Sequence, residues 1–189
     1  MDQIEKAFKK ALNHYPELHD EKIELKYYNI NSVMQSRPNI FSLFFKKRIY
    51  YIIINKNSKN TGLSYKNLNQ ETLTGWFGHE LAHIVDYKKM NNFQLTIFGL
   101  KYLFSNTFKR NIERKTDKLT IKKGLGKQLI KSIKAITRNP KINLDYRQKI
   151  SKFYLKVKEA KKLIKLYKIK NLKKPKFFKK NKNKKSASA

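Results

Sequence analysis

The centre of this chain reads Trp76-Phe77-Gly78-His79-Glu80-Leu81-Ala82-His83-Ile84-Val85-Asp86. Its mostly apolar residues predict a helix that runs through a core and carries two histidines four residues apart. Residues i and i+4 of a helix differ by roughly 40° in azimuth and about 6 Å in height, so both imidazoles can reach one metal ion. Glu80 lies beside that position and can accept a proton from a water molecule that the metal activates. The alternative is a buried helix whose histidines are only hydrogen-bonded.

A third metal ligand must come from elsewhere in the chain, because catalytic zinc sites use three protein ligands. No histidine follows His83. The acidic residues after Leu25 are few, and they are Glu71, Glu80, Asp86, Glu113, Asp117, Asp145 and Glu159. Glu113 and Asp117 are the best candidates, because they lie one helical turn apart on one face. One can bind the metal while the other accepts the N–H of a ligating imidazole. The alternative is a pair of ordinary surface salt bridges with nearby lysines and arginines.

Asp86 also falls on the metal face of the predicted helix, three residues after His83. An acid near a helix C-terminus is unfavourable for the helix dipole, which suggests a role for it. Lys88 and Lys89 offer simple ionic partners, so we leave Asp86 out of the ligand set.

The two motifs together resemble those of the gluzincin metallopeptidases, in which H-E-x-x-H is followed by E-x-x-x-D on a later helix. The matching residues are His79–His83 and Glu113–Asp117, and the resemblance covers about residues 49–126. The sequence departs from the pattern at Thr116, where relatives usually carry alanine.

The resemblance implies a small bacterial metallopeptidase-like domain, a zinc metalloendopeptidase-like hydrolase that acts on a peptide or protein substrate. The implied zinc ligands are His79, His83 and Glu113. Glu80 would be the catalytic base, and Asp117 would orient His79. The implied fold is α+β and zincin-like, with a small antiparallel sheet followed by a mainly helical half.

The β pattern is strongest at Arg48–Asn55, and alternating residues predict an earlier strand around Ile23–Tyr27. A second strand is predicted at Ile40–Phe45. In zincins the strand before the metal helix forms the rim of the cleft, and the resemblance gives that role to Arg48–Asn55. Asn69 can cap a metal helix that spans residues 70–88. Apolar residues at helical spacing predict one long helix over residues 145–167.

A donor that stabilises the oxyanion is needed by such an enzyme, and the sequence offers several without choosing among them. The candidates are Tyr87, Tyr102, Arg114 and Tyr146. The apolar segment Phe93–Phe104 either packs over the cleft or lies in a membrane interface next to Lys109 and Arg110.

The chain of 189 residues has no cysteine and a net charge of +32. Residues 1–170 are predicted to form one domain, and residues 171–189 a disordered lysine-rich tail with eight lysines and no acid. The charge favours binding to nucleic acid or to an anionic membrane surface, unless it reflects only the lysine-rich composition of the chain. A basic nucleic-acid-associated protein and a catalytically inactive zincin at a membrane surface are therefore the alternatives to a peptidase.

The predicted location is cytoplasmic, with a position against a membrane or the nucleoid left open by the basic charge. The residues Met1–Lys6 are polar and lack the apolar core of a secretion signal. No apolar run approaches the length that spans a bilayer. The oligomeric state is not predicted.

Overall fold

A computed structural model describes residues 2–45, 47–57, 59 and 61–172. Its elements, in chain order, are α1 (Gln3–Leu12), β1 (Lys22–Tyr28), β2 (Met34–Pro38), β3 (Ile49–Asn55), α2 (Gln70–Lys88), α3 (Asn92–Phe104), α4 (Asn106–Thr120), α5 (Gly126–Thr137), α6 (Leu144–Phe153) and α7 (Val157–Leu172). The architecture is α+β, with a three-stranded sheet in the first third and helices after it. Residues 173–189, most of the predicted tail, lie outside the described part of the chain.

The sheet is mixed and not antiparallel as predicted. Its strand order is β1-β3-β2, in which β3 is parallel to β1 and antiparallel to β2. Strand β3 lies between β1 and β2. Because β1 and β2 run in opposite directions, β3 is parallel to one of them and antiparallel to the other. The residues Ile52, Ile53 and Ile54 are fully or almost fully buried in this central strand. The strongest β pattern of the sequence therefore belongs to the middle of the sheet.

The outer edge of the sheet beside the helical half is β2, and within the described residues no strand pairs with that edge. The prediction that residues 48–55 form the rim of a cleft is wrong, because both edges of β3 are already hydrogen-bonded. The strand predicted at residues 40–45 is wrong as well. Residues Ile40–Phe44 form a 3₁₀ helix, in which the Asn39 side chain accepts a hydrogen bond from the backbone N–H of Phe41 at 3.0 Å. Local capping by asparagine prevails here over the apolar pattern.

Helix α2 has the predicted bounds, and the backbone N–H of Thr72 donates to the capping side chain of Asn69 at 2.9 Å. Every residue from Thr72 to Tyr87 is buried. The helix packs against α1, α4, α5 and β2, so it is the central element of the core. At Gly78 an added Cβ would lie 2.6 Å from Cδ1 of Leu125, so that buried side chain would have to move.

The segment between α4 and α5 turns the chain through Gly124, whose φ of 92° favours glycine. The single helix predicted over residues 145–167 is two helices, α6 and α7, separated at Tyr154–Lys156. Two carboxylates hold this break. The backbone N–H of Leu155 donates to Oδ2 of Asp117 at 2.8 Å, and that of Lys156 donates to Oε2 of Glu159 at 2.8 Å.

A search of the described residues for a transmembrane segment found no helix with both the length and the apolar character to cross a bilayer.

Candidate metal centre

Two helices bring three potential metal ligands together in the core. Nε2 of His79 and Nε2 of His83, both on α2, are 3.2 Å apart. Oε2 of Glu113, on α4, is 3.0 Å from Nε2 of His79 and 3.6 Å from Nε2 of His83. All three side chains are buried. Ligand atoms at about 2.1 Å from a tetrahedral metal are about 3.4 Å apart, so these separations suit one ion.

The remaining ring nitrogens of the two histidines also have partners. Nδ1 of His79 donates its hydrogen to Oδ1 of Asp117 at 2.9 Å, and Nδ1 of His83 is 3.3 Å from the hydroxyl of Thr116. A proton on Nδ1 leaves the lone pair of Nε2 directed at the shared position. Thr116, which departs from the gluzincin pattern, thus contacts a candidate ligand.

Glu113 is held on both sides. Its second carboxylate oxygen, Oε1, accepts a hydrogen bond from the hydroxyl of Tyr102 on α3. Burial favours the neutral acid, but the imidazoles of His83 and His79 prevail and hold the pKa of Glu113 well below its usual range. Burial would lower the pKa of His79, but Asp117 and Glu113 raise it well above the ordinary value. The cluster therefore stabilises a positive charge, carried by a proton or a metal ion, next to the carboxylates of Glu113 and Asp117.

Glu80 is buried next to the three ligands and is not one of them. Burial raises the pKa of its carboxyl group, and the imidazoles of His79 and His83 partly oppose that rise. The side chain lines the same cavity as His83 and Glu113. It can therefore accept or return a proton inside the cavity.

The cavity has a volume of about 630 Å³ and reaches the candidate metal site. Its lining includes the edge strand β2, helix α3 and residues of α6. Most of the lining is apolar, and its apolar members include Met34, Leu43, Leu95, Leu100 and Ile150. Apolar clefts of this size with a few polar groups are typical of ligand-binding sites.

The four candidate oxyanion donors have different surroundings. The hydroxyl of Tyr87 is 3.4 Å from the carbonyl of Ser36, and that of Tyr146 accepts the N–H of Val33 at 3.0 Å. Arg114 does not line the cavity, and its guanidinium pairs with the carboxylate of Glu159. Tyr102 lines the cavity but its hydroxyl donates to Glu113, as described above.

Tyr154 is a cavity residue that the sequence analysis did not single out. Its ring lies 5.1 Å from the ring of His79, and within the described residues its hydroxyl makes no hydrogen bond. Burial and the negative charge of Glu113 raise its pKa well above the usual value, so the hydroxyl keeps its proton. The sequence analysis placed Tyr154 inside one long helix. In the structure it lies at the break between α6 and α7, and its side chain lines the cavity.

Asp86 is outside the ligand cluster. Its carboxylate is buried and forms an ion pair with Nζ of Lys115 on α4 at 2.7 Å. Leaving it out of the ligand set agrees with the structure, although its partner is neither Lys88 nor Lys89.

Comparisons with protein-family models, with curated proteins and with solved structures gave no match to this chain. The functional argument therefore depends on the geometry of the site.

Proposed function

We propose that this chain is a zinc-dependent metallopeptidase of the gluzincin type. The observation that carries the proposal is the convergence of His79, His83 and Glu113 from two helices, with the carboxylate of Glu80 beside them in one cavity. Two imidazoles and one carboxylate are a donor set that catalytic zinc uses.

When bound to these three side chains, zinc would lower the pKa of a water molecule and polarise the scissile carbonyl. Glu80 would take the proton of the attacking water and return it to the leaving amine. Asp117 would keep His79 in the tautomer that has its lone pair at Nε2. Tyr154 would donate its hydroxyl hydrogen to the oxyanion of the substrate.

The edge strand β2 supports a polypeptide substrate. Its residues Met34–Pro38 line the cavity, and its outer edge offers backbone groups to which an extended peptide could pair. The apolar lining favours peptides with a large apolar side chain next to the scissile bond.

The test combines metal analysis with hydrolysis of fluorogenic peptides that carry apolar residues. We expect about one zinc per chain. Glu80→Gln should keep that zinc and lose activity by about 10²- to 10⁴-fold, because it removes the general base. Glu5→Gln, an exposed change on α1, should alter neither.

A Glu80→Gln protein as active as its parent would contradict the proposal. A parent that binds zinc and cleaves none of the peptides would favour the catalytically inactive alternative. Absence of any bound metal would contradict both the active peptidase and the inactive zincin. The basic charge of the chain would then be its main functional feature.

A further inference from the structure

Two segments that border the cavity carry large apolar side chains that are exposed to solvent. They come from residues 40–45 and from α3, and each is between 53% and 84% exposed. They are Ile40, Phe41, Phe45, Phe93, Leu100, Leu103 and Phe104. We call this set the apolar rim. Soluble monomers rarely expose so many large apolar groups in one place without a partner.

The two halves of the apolar rim adjoin each other. Nδ2 of Asn92 at the start of α3 donates to the carbonyl of Leu43 at 2.7 Å, and the guanidinium of Arg48 donates to Oδ1 of Asn92 at 2.9 Å. Ile40 on one side and Leu103 on the other line the same cavity. Three of the seven side chains, Ile40, Leu100 and Leu103, therefore border one opening, and the other four lie on the same two segments.

Helix α3 shows why the rim requires an explanation. Its inner face carries Leu95, Phe98 and Tyr102, which cover the cavity and contact Tyr87 and Phe108. At about 100° per residue, Phe93 and Phe104 fall on the opposite side of the helix, whereas Leu100 and Leu103 also border the cavity. A helix that is apolar all round is normally covered on both faces. Packing over the cavity is confirmed for the inner face of Phe93–Phe104, and the membrane alternative stays a prediction for the outer face.

The surroundings of the apolar rim are cationic. Residues 25–70 and residues 87–112, which contain both halves of the rim, have no Asp or Glu. Their basic residues include Arg37, Lys47, Lys101, Lys109 and Arg110. Arg37 and Lys109 line the cavity itself. Glu21 lies in the same groove as Phe45, but its carboxylate is paired with Lys88 at 2.8 Å. Apolar side chains on two segments that carry cations and no acid match the surface of a bilayer that contains anionic lipids.

We propose that the apolar rim docks on an anionic lipid bilayer. Ile40, Leu100 and Leu103 are aliphatic, so they gain from burial among acyl chains but cannot stack on bases as a single-stranded nucleic acid would require. A two-fold contact with a second copy would bring the same cations of both copies together. Lipid headgroups instead supply the negative charge that both segments lack.

The docking inference concerns the surface alone and does not need the chain to be an enzyme. If the proposed function also holds, the inference adds a substrate class. The cleft would then open at the bilayer, where membrane-associated polypeptides are its substrates.

The first experiment uses the full chain with a single cysteine, because the protein has none of its own. Leu103→Cys on the apolar rim and Ile169→Cys on α7, 49% exposed in the parent, are each labelled with a polarity-sensitive dye. With vesicles of phosphatidylcholine and phosphatidylglycerol, we expect a shift to shorter wavelengths and about a twofold rise in emission at position 103 only. An equal response at both positions, or none at 103, would overturn the proposal.

The second experiment separates apolar docking from the general attraction of a +32 chain. The triple variant Phe41→Ser/Leu103→Ser/Phe104→Ser is compared with Leu166→Ser/Ile169→Ser in co-sedimentation with anionic vesicles at about 0.5 M salt, where charge attraction is screened. The rim variant should bind about tenfold more weakly than the control. Equal binding by the two variants would overturn the proposal.

Two other partners give different results with the same variants. If the rim variant loses affinity for a single-stranded oligonucleotide and keeps its affinity for vesicles, the surface binds nucleic acid and the proposal fails. Sedimentation velocity tests for self-association. A dimer formed by the parent and the control variant, but not by the rim variant, would also overturn the proposal. Both measurements are made with and without zinc, so that a failed peptidase test leaves the docking result interpretable.

Discussion

At the scale of single residues, Asp117 connects the candidate metal site to the backbone. One of its oxygens accepts the hydrogen of Nδ1 of His79, and the other accepts the N–H of Leu155. The side chain is completely buried, so neither hydrogen bond competes with water. Its loss would release both the imidazole and the break between α6 and α7.

We therefore expect Asp117→Asn to weaken zinc binding by about 10- to 100-fold, since an amide orients the imidazole less well than a carboxylate. The measurement is competition with a chromogenic chelator. Asp145→Asn, an exposed change, serves as the control and should bind zinc like the parent. Equal affinities for all three proteins would show that Asp117 does not orient a ligand.

The two cavity tyrosines should act differently. Tyr154→Phe should lower kcat by about 10²- to 10³-fold with zinc retained, because it removes an oxyanion donor. Tyr102→Phe should instead weaken zinc binding, because it removes a hydrogen bond to Glu113. Steady-state kinetics and metal analysis on both variants check this. Full activity of Tyr154→Phe would exclude that residue as the donor.

That His79 and His83 share one helix face, and Glu113 and Asp117 another, could be predicted from sequence, because helical spacing of three to four residues is a local property. That the two faces meet was expected only from the need for a third ligand and from the resemblance to gluzincins. The position of Tyr154 could not. It depends on a backbone break that a distant carboxylate holds, and helical periodicity gave no sign of it. The contact of Thr116 with His83 is likewise visible only once α2 and α4 are packed together.

At the scale of elements, the close approach of α2 to its neighbours depends on small residues. Gly78→Ala would place a methyl group 2.6 Å from Cδ1 of Leu125, and we expect a loss of about 1–3 kcal/mol in the free energy of unfolding. Gly99→Ala on α3 meets nothing within 4 Å and should stabilise by about 0.5–1 kcal/mol. Urea denaturation compares the pair. Equal effects would mean that α2 packs less tightly than described.

The start of α7 is tied to α4 by an ion pair. The guanidinium of Arg114 binds Oε1 of Glu159 at 2.5 Å and lowers the pKa of that carboxyl to about 2. A depressed pKa adds stability above the unfolded value of about 4.3, and the contribution disappears as pH falls toward about 2. The side chain of Glu159 is 41% exposed, so solvent screens the pair and the gain is small.

Glu159→Gln should therefore be less stable than the parent at pH 6, and the difference should shrink between about pH 4 and pH 2. Urea midpoints at several pH values measure it. Glu5→Gln provides the comparison and should follow the parent throughout. A difference that stays constant with pH would assign the effect to packing instead of charge.

Element types were predicted well where one pattern dominates, as in α2 and β3. Errors arose where tertiary contacts or local capping decide. The order of the strands depends on the insertion of β3 between β1 and β2, which no local pattern encodes. The apolar run at residues 40–45 is not a strand, because capping by Asn39 favours a 3₁₀ helix.

At the scale of the whole molecule, a metal ion at the candidate site would link the central helix α2 to α4. Zinc at about 1,000 times its Kd would stabilise the folded state by about 4 kcal/mol, which raises Tm by about 10 °C for a chain of this size. Thermal unfolding with zinc and with a chelator measures the shift. His83→Ala removes one ligand and should show little shift; a shift equal to that of the parent would indicate binding elsewhere.

The burial of residues Thr72–Tyr87 in α2 has a consequence for the candidate metal site in the absence of an ion. We expect the amide hydrogens of this buried part to exchange with solvent deuterium only when the molecule opens cooperatively, because fraying is confined to the exposed ends of the helix. Both imidazoles are attached to that rigid backbone. If a metal ion bound here were lost, both imidazoles would stay in position. A second ion would then bind without any refolding of α2.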